Sequence, residues 1–363
     1  MYTIITAILS ILLLFGGIHP STDHPMTVRD PDNLRMTFVA VSDTHVCNTA
    51  YSQTFTSLIF EDAAHAAQPF DTCVICGDLA DNGANGEYNR LLSVLQNQSA
   101  IPNPIIALGN HDARFALSEN ASWFRGAVET LTGVDTQGKN YYTCQVNGYT
   151  FIVLGTEKQL QLQAYISEEQ LQFLDSALAT ATADGKPAFV VCHQPLQGVN
   201  GADAVWGVGD QSSQIRSILC KYQNVFFLSG HLHDGFNARS MEKISDAVWC
   251  LNLPAYGKAQ DVNNLSRIRQ KGVGYYAEVY DDAVIFTGRN FRKGNDLDVV
   301  YRCELVSPDP GPETELEPET EIELETEPGT ESVTEIVTET GPEAVTEIPA
   351  LDDVPLTEPA LEP

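Results

Sequence analysis

The chain has 363 residues, of which 49 are Asp or Glu and 20 are Lys or Arg, giving a formal net charge of −29. A chain this acidic, without a basic stripe, is not expected to bind duplex nucleic acid. Small phosphorylated substrates are not excluded, because bound metal ions would supply the positive charge.

The chain begins with an almost wholly apolar run over residues 2–18, and its first basic residue is Arg29. We interpret residues 1–20 as a secretory leader or an N-terminal anchor rather than a buried core helix, although the basic segment that usually opens a leader is missing. Residues 21–33 are polar and predict a linker. The protein is therefore expected to be secreted or associated with the cell envelope, with the N-terminus as the contact to the membrane.

Residues 34–305 are long enough for one large α/β or sandwich domain. Apolar periodicity predicts alternating strands and helices in its first half and a mainly β second half. A further helix is predicted at 167–180 by the capping pattern that starts at Ser167, and a hairpin by Asn147-Gly148 within 140–156. The other predicted elements are a strand with its outgoing loop at 36–47, strands at 72–76, 104–108, 188–192, 224–228, 247–253, 274–280 and 283–289, and helices at 51–67, 87–96 and 212–222. Two packed sheets flanked by helices fit this order best, with the loops 113–139 and 196–209 left without a predicted element.

Most of the eight cysteines lie in apolar, strand-like runs, where Cys behaves as a small hydrophobe. Cys73 and Cys76 would point to opposite faces of one strand, which places them poorly for a disulfide. We therefore predict buried thiols rather than disulfides or a Cys-x-x-Cys redox or zinc site.

Five of the predicted strands end in residues that bind metals. These ends are Asp43 with His45, Gly77-Asp78, Gly109-Asn110-His111-Asp112, His193, and Gly230-His231-Leu232-His233. Any one of these histidines alone would more often be a satisfied core or loop residue. Because α/β sheets place their sites at the carboxyl ends of strands, the whole set predicts one shared site.

The candidate ligands combine carboxylate, amide and imidazole groups without thiolate. They are Asp43, His45, Asp78, Asn110, His193, His231 and His233. This chemistry favours Mn, Fe, Zn or Co over a structural zinc site or a calcium cage. Seven ligands are too many for one such ion, but they suit two divalent ions that share a carboxylate and a bridging water or hydroxide, about 3.5 to 4 Å apart. The sequence therefore predicts in-line hydrolysis of a phosphate ester.

The ordered set of motifs over residues 43–233 resembles the calcineurin-like metallophosphoesterase superfamily. The resemblance implies a four-layer α/β/β/α sandwich of two mixed sheets flanked by helices. It implies that Asp43, His45 and His233 hold one metal, that Asp78 bridges, and that the three remaining ligands hold the second metal. It also implies that His111 stabilises the transition state or protonates the leaving oxygen, with Asp112 orienting its ring.

Three residues near these motifs have an open role in the sequence. Arg114 is predicted either to clamp the substrate phosphate or to form a surface salt bridge. Trp206 and Tyr256 either stack on a base or ring or pack in the core.

One departure bears on the substrate. Purple acid phosphatases resemble this pattern but carry a Tyr where this chain has Asp81, and the segment 77–81 is more similar to bacterial cyclic nucleotide and glycerophosphodiester phosphodiesterases. The hypothesis is an exported, dinuclear-metal phosphoesterase that cleaves diesters or monoesters. The alternative is a ligand-binding surface protein with an inactive phosphoesterase-like domain and an interacting acidic tail.

The chain ends in a segment rich in Glu, Thr and Pro, residues 306–363. It holds 18 of the acidic residues and no Lys or Arg, which leaves a net charge of −11 for the rest of the chain. Like charges and frequent Pro predict an extended, disordered spacer rather than a tail that binds cations or a partner.

Overall fold

Two six-stranded sheets form the centre of the fold in the computed structural model, which describes residues 23–257 and 272–307. Residues 1–22 and 308–363, and with them the predicted leader and nearly all of the acidic tail, lie outside the described residues. Within the part of the chain that is described, no helix is long and apolar enough to cross a membrane.

The described helices and strands alternate in the first half of the chain and become mainly β in the second. In chain order they are β1 (Met36–Val41), α1 (Ala50–Ala63), β2 (Thr72–Ile75), α2 (Asn85–Asn97), β3 (Ile105–Ile106), α3 (Asn110–Ala113), α4 (Leu117–Thr132), β4 (Tyr142–Val146), β5 (Tyr149–Val153), α5 (Glu168–Ala181), β6 (Ala188–Val191), α6 (Ser212–Leu219), β7 (Val225–Ser229), β8 (Met241–Ser245), β9 (Val248–Asn252), β10 (Val273–Val279), β11 (Ala283–Asn290) and β12 (Asn295–Glu304).

Each sheet combines parallel strands with antiparallel ones. The first has the order β12-β11-β10-β1-β2-β3, in which β1, β2 and β3 are parallel and β10 to β12 are antiparallel. The second has the order β4-β5-β6-β7-β9-β8, in which β5, β6, β7 and β9 are parallel and the two edge strands are antiparallel. The carboxyl ends of the parallel strands of one sheet therefore share an edge.

The two sheets pack face to face through an aromatic core. Phe38 on β1 lies with its ring 5.3 Å from Phe151 and 5.0 Å from Phe189 of the opposite sheet. Alternate residues of the second sheet, such as Ile152 and Val190, belong to a separate apolar cluster with α5 and α6. Because successive side chains of a strand point to opposite faces, this sheet is covered on both sides. With α1 and α2 packed on the first sheet, the four-layer α/β/β/α prediction is confirmed.

Sequence reasoning located most elements to within a few residues but missed some. The Asn147-Gly148 turn is confirmed, with φ of 50° and 79°, the left-handed pair that a two-residue hairpin turn requires. The expectation that 113–139 is a loop was wrong, because α4 occupies Leu117–Thr132. Its buried Ala121, Phe124 and Val128 follow helical spacing, a signal that was present in the sequence. Strands β8 and β12 were also missed.

Arg289 is a buried cation that joins the first sheet to α1. Its guanidinium donates two 2.8 Å hydrogen bonds to the carboxylate of Asp62, and a 2.9 Å bond to Asp296. Burial raises the pKa of Asp62, and the hydrogen bonds from Arg289 oppose that rise. The ion pair with Arg289 therefore compensates the charge of the Asp62 carboxylate, which would otherwise be buried without a partner.

We predict that Arg289→Met lowers the free energy of unfolding by about 3 kcal/mol or more, because it leaves the Asp62 carboxylate buried and unpaired. The control is Arg302→Met, which removes an exposed cation from its pairs with Asp282 and Glu304 and should change stability by less than about 0.5 kcal/mol. Urea unfolding followed by circular dichroism measures both. Equal effects of the two substitutions would contradict the prediction.

Candidate dinuclear metal site

The seven predicted ligands converge at the carboxyl ends of β1, β2, β3, β6 and β7, and all seven are buried. One group consists of Asp43, His45, Asp78 and His233, whose ligand atoms all lie within 4.8 Å of one another. In it, His233 Nε2 lies 2.9 Å from Asp43 Oδ1 and 3.0 Å from His45 Nε2. A cation at this point would be contacted by two carboxylates and two imidazoles.

The second group consists of Asp78, His193 and His231, again within 4.8 Å of one another. His193 Nε2 lies 3.3 Å from Asp78 Oδ1. Asn110 begins α3 directly after Gly109, and its buried amide oxygen makes no hydrogen bond among the described residues. Asp78 therefore belongs to both groups, which is the arrangement that a carboxylate bridging two ions requires.

The residues fit a pair of cations because their polar atoms are buried without partners. Among them are Asp78 Oδ2, Asn110 Oδ1, His193 Nε2 and His231 Nε2, none of which makes a hydrogen bond among the described residues. Buried polar atoms are normally hydrogen-bonded, and an unpaired one costs free energy. Lone pairs from different strand ends that converge in this way repel one another unless a proton or a metal cation lies between them.

In His193 and Asn110, the polar atom that points away from the site is hydrogen-bonded, and this determines which atom of the side chain faces the site. His193 Nδ1 donates to the Cys76 carbonyl at 2.7 Å, which leaves the lone pair on Nε2. Asn110 donates its amide to the Gln161 carbonyl at 3.0 Å, which turns Oδ1 towards the site. The ligands are therefore oriented by the protein itself.

Five of the ligand residues adopt left-handed backbone conformations. Their φ angles are 54° for Asp43, 43° for His45, 47° for Asp78, 70° for His231 and 53° for His233. Such a conformation costs roughly 1 to 2 kcal/mol in a residue other than Gly, and it persists where surrounding structure enforces it. The five strained residues all direct their side chains to the two ligand groups.

The pKa values of the site follow from burial and mutual charge. Burial raises the pKa of Asp78, but His193 and His45 more than offset it, so that its pKa is well below the usual range. Burial opposes protonation of His193, yet Asp78 and Asp43 raise its pKa to about 10. Burial and the charge of His193 lower the pKa of His231 to about 3. The carboxylates are ionised at neutral pH, and a bound cation would displace the proton of His193.

His111 lies beside the two groups, as predicted, but its orienting partner is not Asp112. His111 Nδ1 donates to the Asp81 carbonyl at 2.6 Å. The Asp112 carboxylate instead accepts hydrogen bonds from the backbone of Leu79, Ala80 and Gly109. The assignment of Asp112 to the His111 ring was therefore wrong, because the short helix α3 turns the two side chains apart. Asp112 holds the loops after β2 and β3 together.

The remaining candidates are placed as follows. Arg114 is half-buried, with Nη2 2.9 Å from His111 Nδ1, and no carboxylate in the described ranges pairs with it. Tyr256 is fully buried and donates to the Phe55 carbonyl at 2.6 Å, so it packs in the core. The ring of Trp206 lies 5.2 Å from that of His231, at the site.

Sequence reasoning missed the residues that support the ligands. The Asp81 carboxylate lies 3.3 Å from His45 Nδ1, and the carbonyls of Cys76 and Gln161 hold two further ligands. Asp81, the sixth residue after β2, had a sequence signal in its nearness to Asp78. The carbonyls of Cys76 and Gln161 had no signal in the sequence. All eight cysteines are free and six of them are buried, as predicted for most, whereas Cys220 is exposed and Cys47 is half-buried. Burial raises the pKa of Cys192 to about 12.

Comparison with known proteins agrees with this geometry. The family model for the calcineurin-like phosphoesterase matches residues 36–235. The chain belongs to this family. Residues 36–235 include all seven ligands, His111 and Arg114.

Curated relatives match a shorter part of the chain. A probable cyclic nucleotide phosphodiesterase of Synechococcus sp. is 28% identical over 170 residues, covering 46% of this chain and 59% of that protein. A cAMP/cGMP dual specificity phosphodiesterase of Mycobacterium tuberculosis is 28% identical over 170 residues, covering 46% and 50%. The chain thus spans between half and three-fifths of the length of these two relatives.

Solved structures show the same fold. A dimetal phosphatase from Danio rerio superposes with a TM-score of 0.52 at 17% identity, covering 73% of this chain and 98% of that one. A purple acid phosphatase from yellow lupin gives a TM-score of 0.51 at 13% identity, covering 74% and 53%. The chain therefore shares the overall fold of these two phosphatases.

We predict that Gly109→Ala abolishes metal binding. A Cβ at Gly109 would lie 2.1 Å from Asp78 Oδ1 and 2.2 Å from Asp78 N, so the bridging carboxylate would have to move. Gly126→Ala in α4 is the matched control, because a Cβ there meets nothing within 4 Å and Ala favours a helix by about 0.5 to 1 kcal/mol. The measurement is the metal-to-protein ratio by inductively coupled plasma mass spectrometry. An unchanged ratio in Gly109→Ala would refute the prediction.

Proposed function

We propose that this protein hydrolyses phosphate diesters with the help of two divalent cations of the Mn, Fe, Zn or Co type. The observation that carries the proposal is the position of Asp78, which lies in both ligand groups at once. When bound, two such ions would supply the positive charge that activates water and neutralises a phosphoryl group. The other contributions come from side chains of this chain.

His111 is placed to give a proton to the leaving oxygen. Its Nδ1 proton is held by the Asp81 carbonyl, so that Nε2 is the atom left for the substrate. His111 Nε2 lies 4.0 Å from Asp78 Oδ2 and makes no hydrogen bond among the described residues. Burial lowers the pKa of His111, with Asp78 opposing, so the neutral ring with its proton on Nδ1 is favoured. The smaller fraction that also carries a proton on Nε2 is the stronger acid and can give that proton to the leaving oxygen.

Arg114 supplies a cation at the edge of the site. Its guanidinium lies next to His111 and over the ring of Phe115, at 4.7 Å from the ring centroid. Since it forms no ion pair within the described residues, its charge is available to a phosphate oxygen. This favours the phosphate clamp over the surface salt bridge.

Diesters are preferred to monoesters in this proposal for two reasons. The position three residues after the bridging Asp78 is Asp81, not the Tyr of purple acid phosphatases. The curated relatives are named as cyclic nucleotide phosphodiesterases.

We predict that metal-stripped protein regains hydrolysis when it is reconstituted with one of these four ions, with bis(p-nitrophenyl) phosphate cleaved faster than p-nitrophenyl phosphate. Asp78→Ala and Asn110→Ala should each lower turnover at least about a hundredfold and reduce the bound metal, because each removes a ligand. Asp282→Ala, at an exposed turn, is the control. Full activity in either ligand variant would exclude the proposed site. A metal-loaded protein that cleaves no phosphate ester would favour the ligand-binding alternative.

We also propose that the protein is exported and that the acidic tail is a spacer, on the strength of the apolar run at 2–18 and the composition of 306–363. Deletion of residues 2–18 should retain the protein in the cytoplasm, as measured by cell fractionation of a bacterial host. Truncation after Leu305 should leave turnover unchanged. Secretion without residues 2–18 would contradict the first part, and activity lost with the tail would contradict the second.

A further inference from the structure

Two exposed apolar side chains stand beside the candidate metal site. Phe115 is 56% exposed and follows Arg114 directly. Val205 is 53% exposed and precedes Trp206, whose ring is tilted by 49° over His231. Large apolar groups at the rim of a polar site favour a ligand that carries an apolar surface beside its charged part.

The loop that carries Trp206 is fixed by side chains, although it contains no regular secondary structure. The Asp203 carboxylate accepts a 3.0 Å hydrogen bond from the backbone N–H of Trp206. The Ala204 carbonyl accepts from Gln163 at 2.8 Å and from Gln197 at 3.2 Å. The backbone that carries the indole is therefore held in place before any ligand binds, which lowers the entropy lost on binding.

The backbone at Phe115 is held by the same stretch of chain. Gln159 donates its side-chain amide to the carbonyls of Arg114 at 3.1 Å and Phe115 at 3.3 Å. Gln159 and Gln163 are four residues apart, so their Cα atoms are at most about 14 Å from each other. One short segment thus holds both the backbone at Phe115 and the loop that carries Trp206.

We propose that Trp206 is the stacking surface for a flat aromatic ring of the substrate, with Phe115 as a second apolar wall. The substrate class is then a phosphodiester that carries an aromatic base, its phosphate beside Arg114 and His111 and its ring against the indole. The phosphate part of this assignment rests on the proposed function. Trp206 is a specificity residue, since it contacts the substrate away from the bond that breaks.

The test is isothermal titration calorimetry of the metal-loaded full chain with AMP and with ribose 5-phosphate, which share a phosphate and differ in the base. Wild-type protein should bind AMP about tenfold or more tightly than ribose 5-phosphate, the usual size of a base–aromatic stack. Trp206→Leu should remove this ratio, and Trp206→Phe should keep most of it. Val300→Ala, which truncates an exposed side chain on β12, is the control and should change nothing.

Equal affinities of wild-type protein for the two phosphates, or an unchanged ratio in Trp206→Leu, would overturn this inference. If Trp206→Leu fails to fold, Phe115→Ala provides the second measurement and should lower the ratio severalfold; an unchanged ratio there would count against the inference. Calorimetry needs no turnover, so base-dependent binding supports the stacking role even if hydrolysis fails. If the protein hydrolyses bis(p-nitrophenyl) phosphate but binds AMP and ribose 5-phosphate with equal affinity, the proposed function stands and only this inference is excluded.

Discussion

The site depends on one buried carboxylate, that of Asp78. It lies at the end of β2, next to β1 and β3, and it is the member common to both groups of ligands. His111 donates its backbone N–H to Asp78 Oδ1 at 2.8 Å, while Oδ2 makes no hydrogen bond among the described residues. A buried charge in this position is stable only when positive charge surrounds it, which links the fold of the site to the binding of cations.

Asp112 is the second buried carboxylate on which the geometry depends. It joins the loop after β2 to the loop after β3 through hydrogen bonds from Leu79, Ala80 and Gly109, and Tyr88 OH adds another at 3.1 Å. Burial and the charge of Asp78 raise the pKa of Asp112 to about 6, and the backbone N–H groups oppose that rise. Its role is to fix the spacing of two ligand-bearing loops.

The ligand loops combine local strain with rigid support. Left-handed residues and closely approaching glycines would be unstable on a mobile segment, but here each loop leaves a buried strand of a packed sheet. A Cβ at Gly230 would lie 1.8 Å from Ser42 Oγ and 2.5 Å from Asp43 Oδ2. Gly at this position lets the loop after β7 reach the end of β1, so that ligands from both sheets meet.

The sequence by itself determined most strands and helices and the ligand set, since apolar periodicity marks strands and each strand end carries its ligand within a few residues. The four-layer class followed from the resemblance of the ordered motifs to a known superfamily. The tertiary structure decided the rest. Asp81 rather than Asp112 holds His111, and the carbonyls of Cys76 and Gln161 orient His193 and Asn110 across separations of 117 and 51 residues. Trp206 lies at the site while Tyr256 lies in the core. Hydrogen bonds to backbone carbonyls and the burial of an aromatic ring depend on how distant loops meet, which leaves no local pattern in the chain.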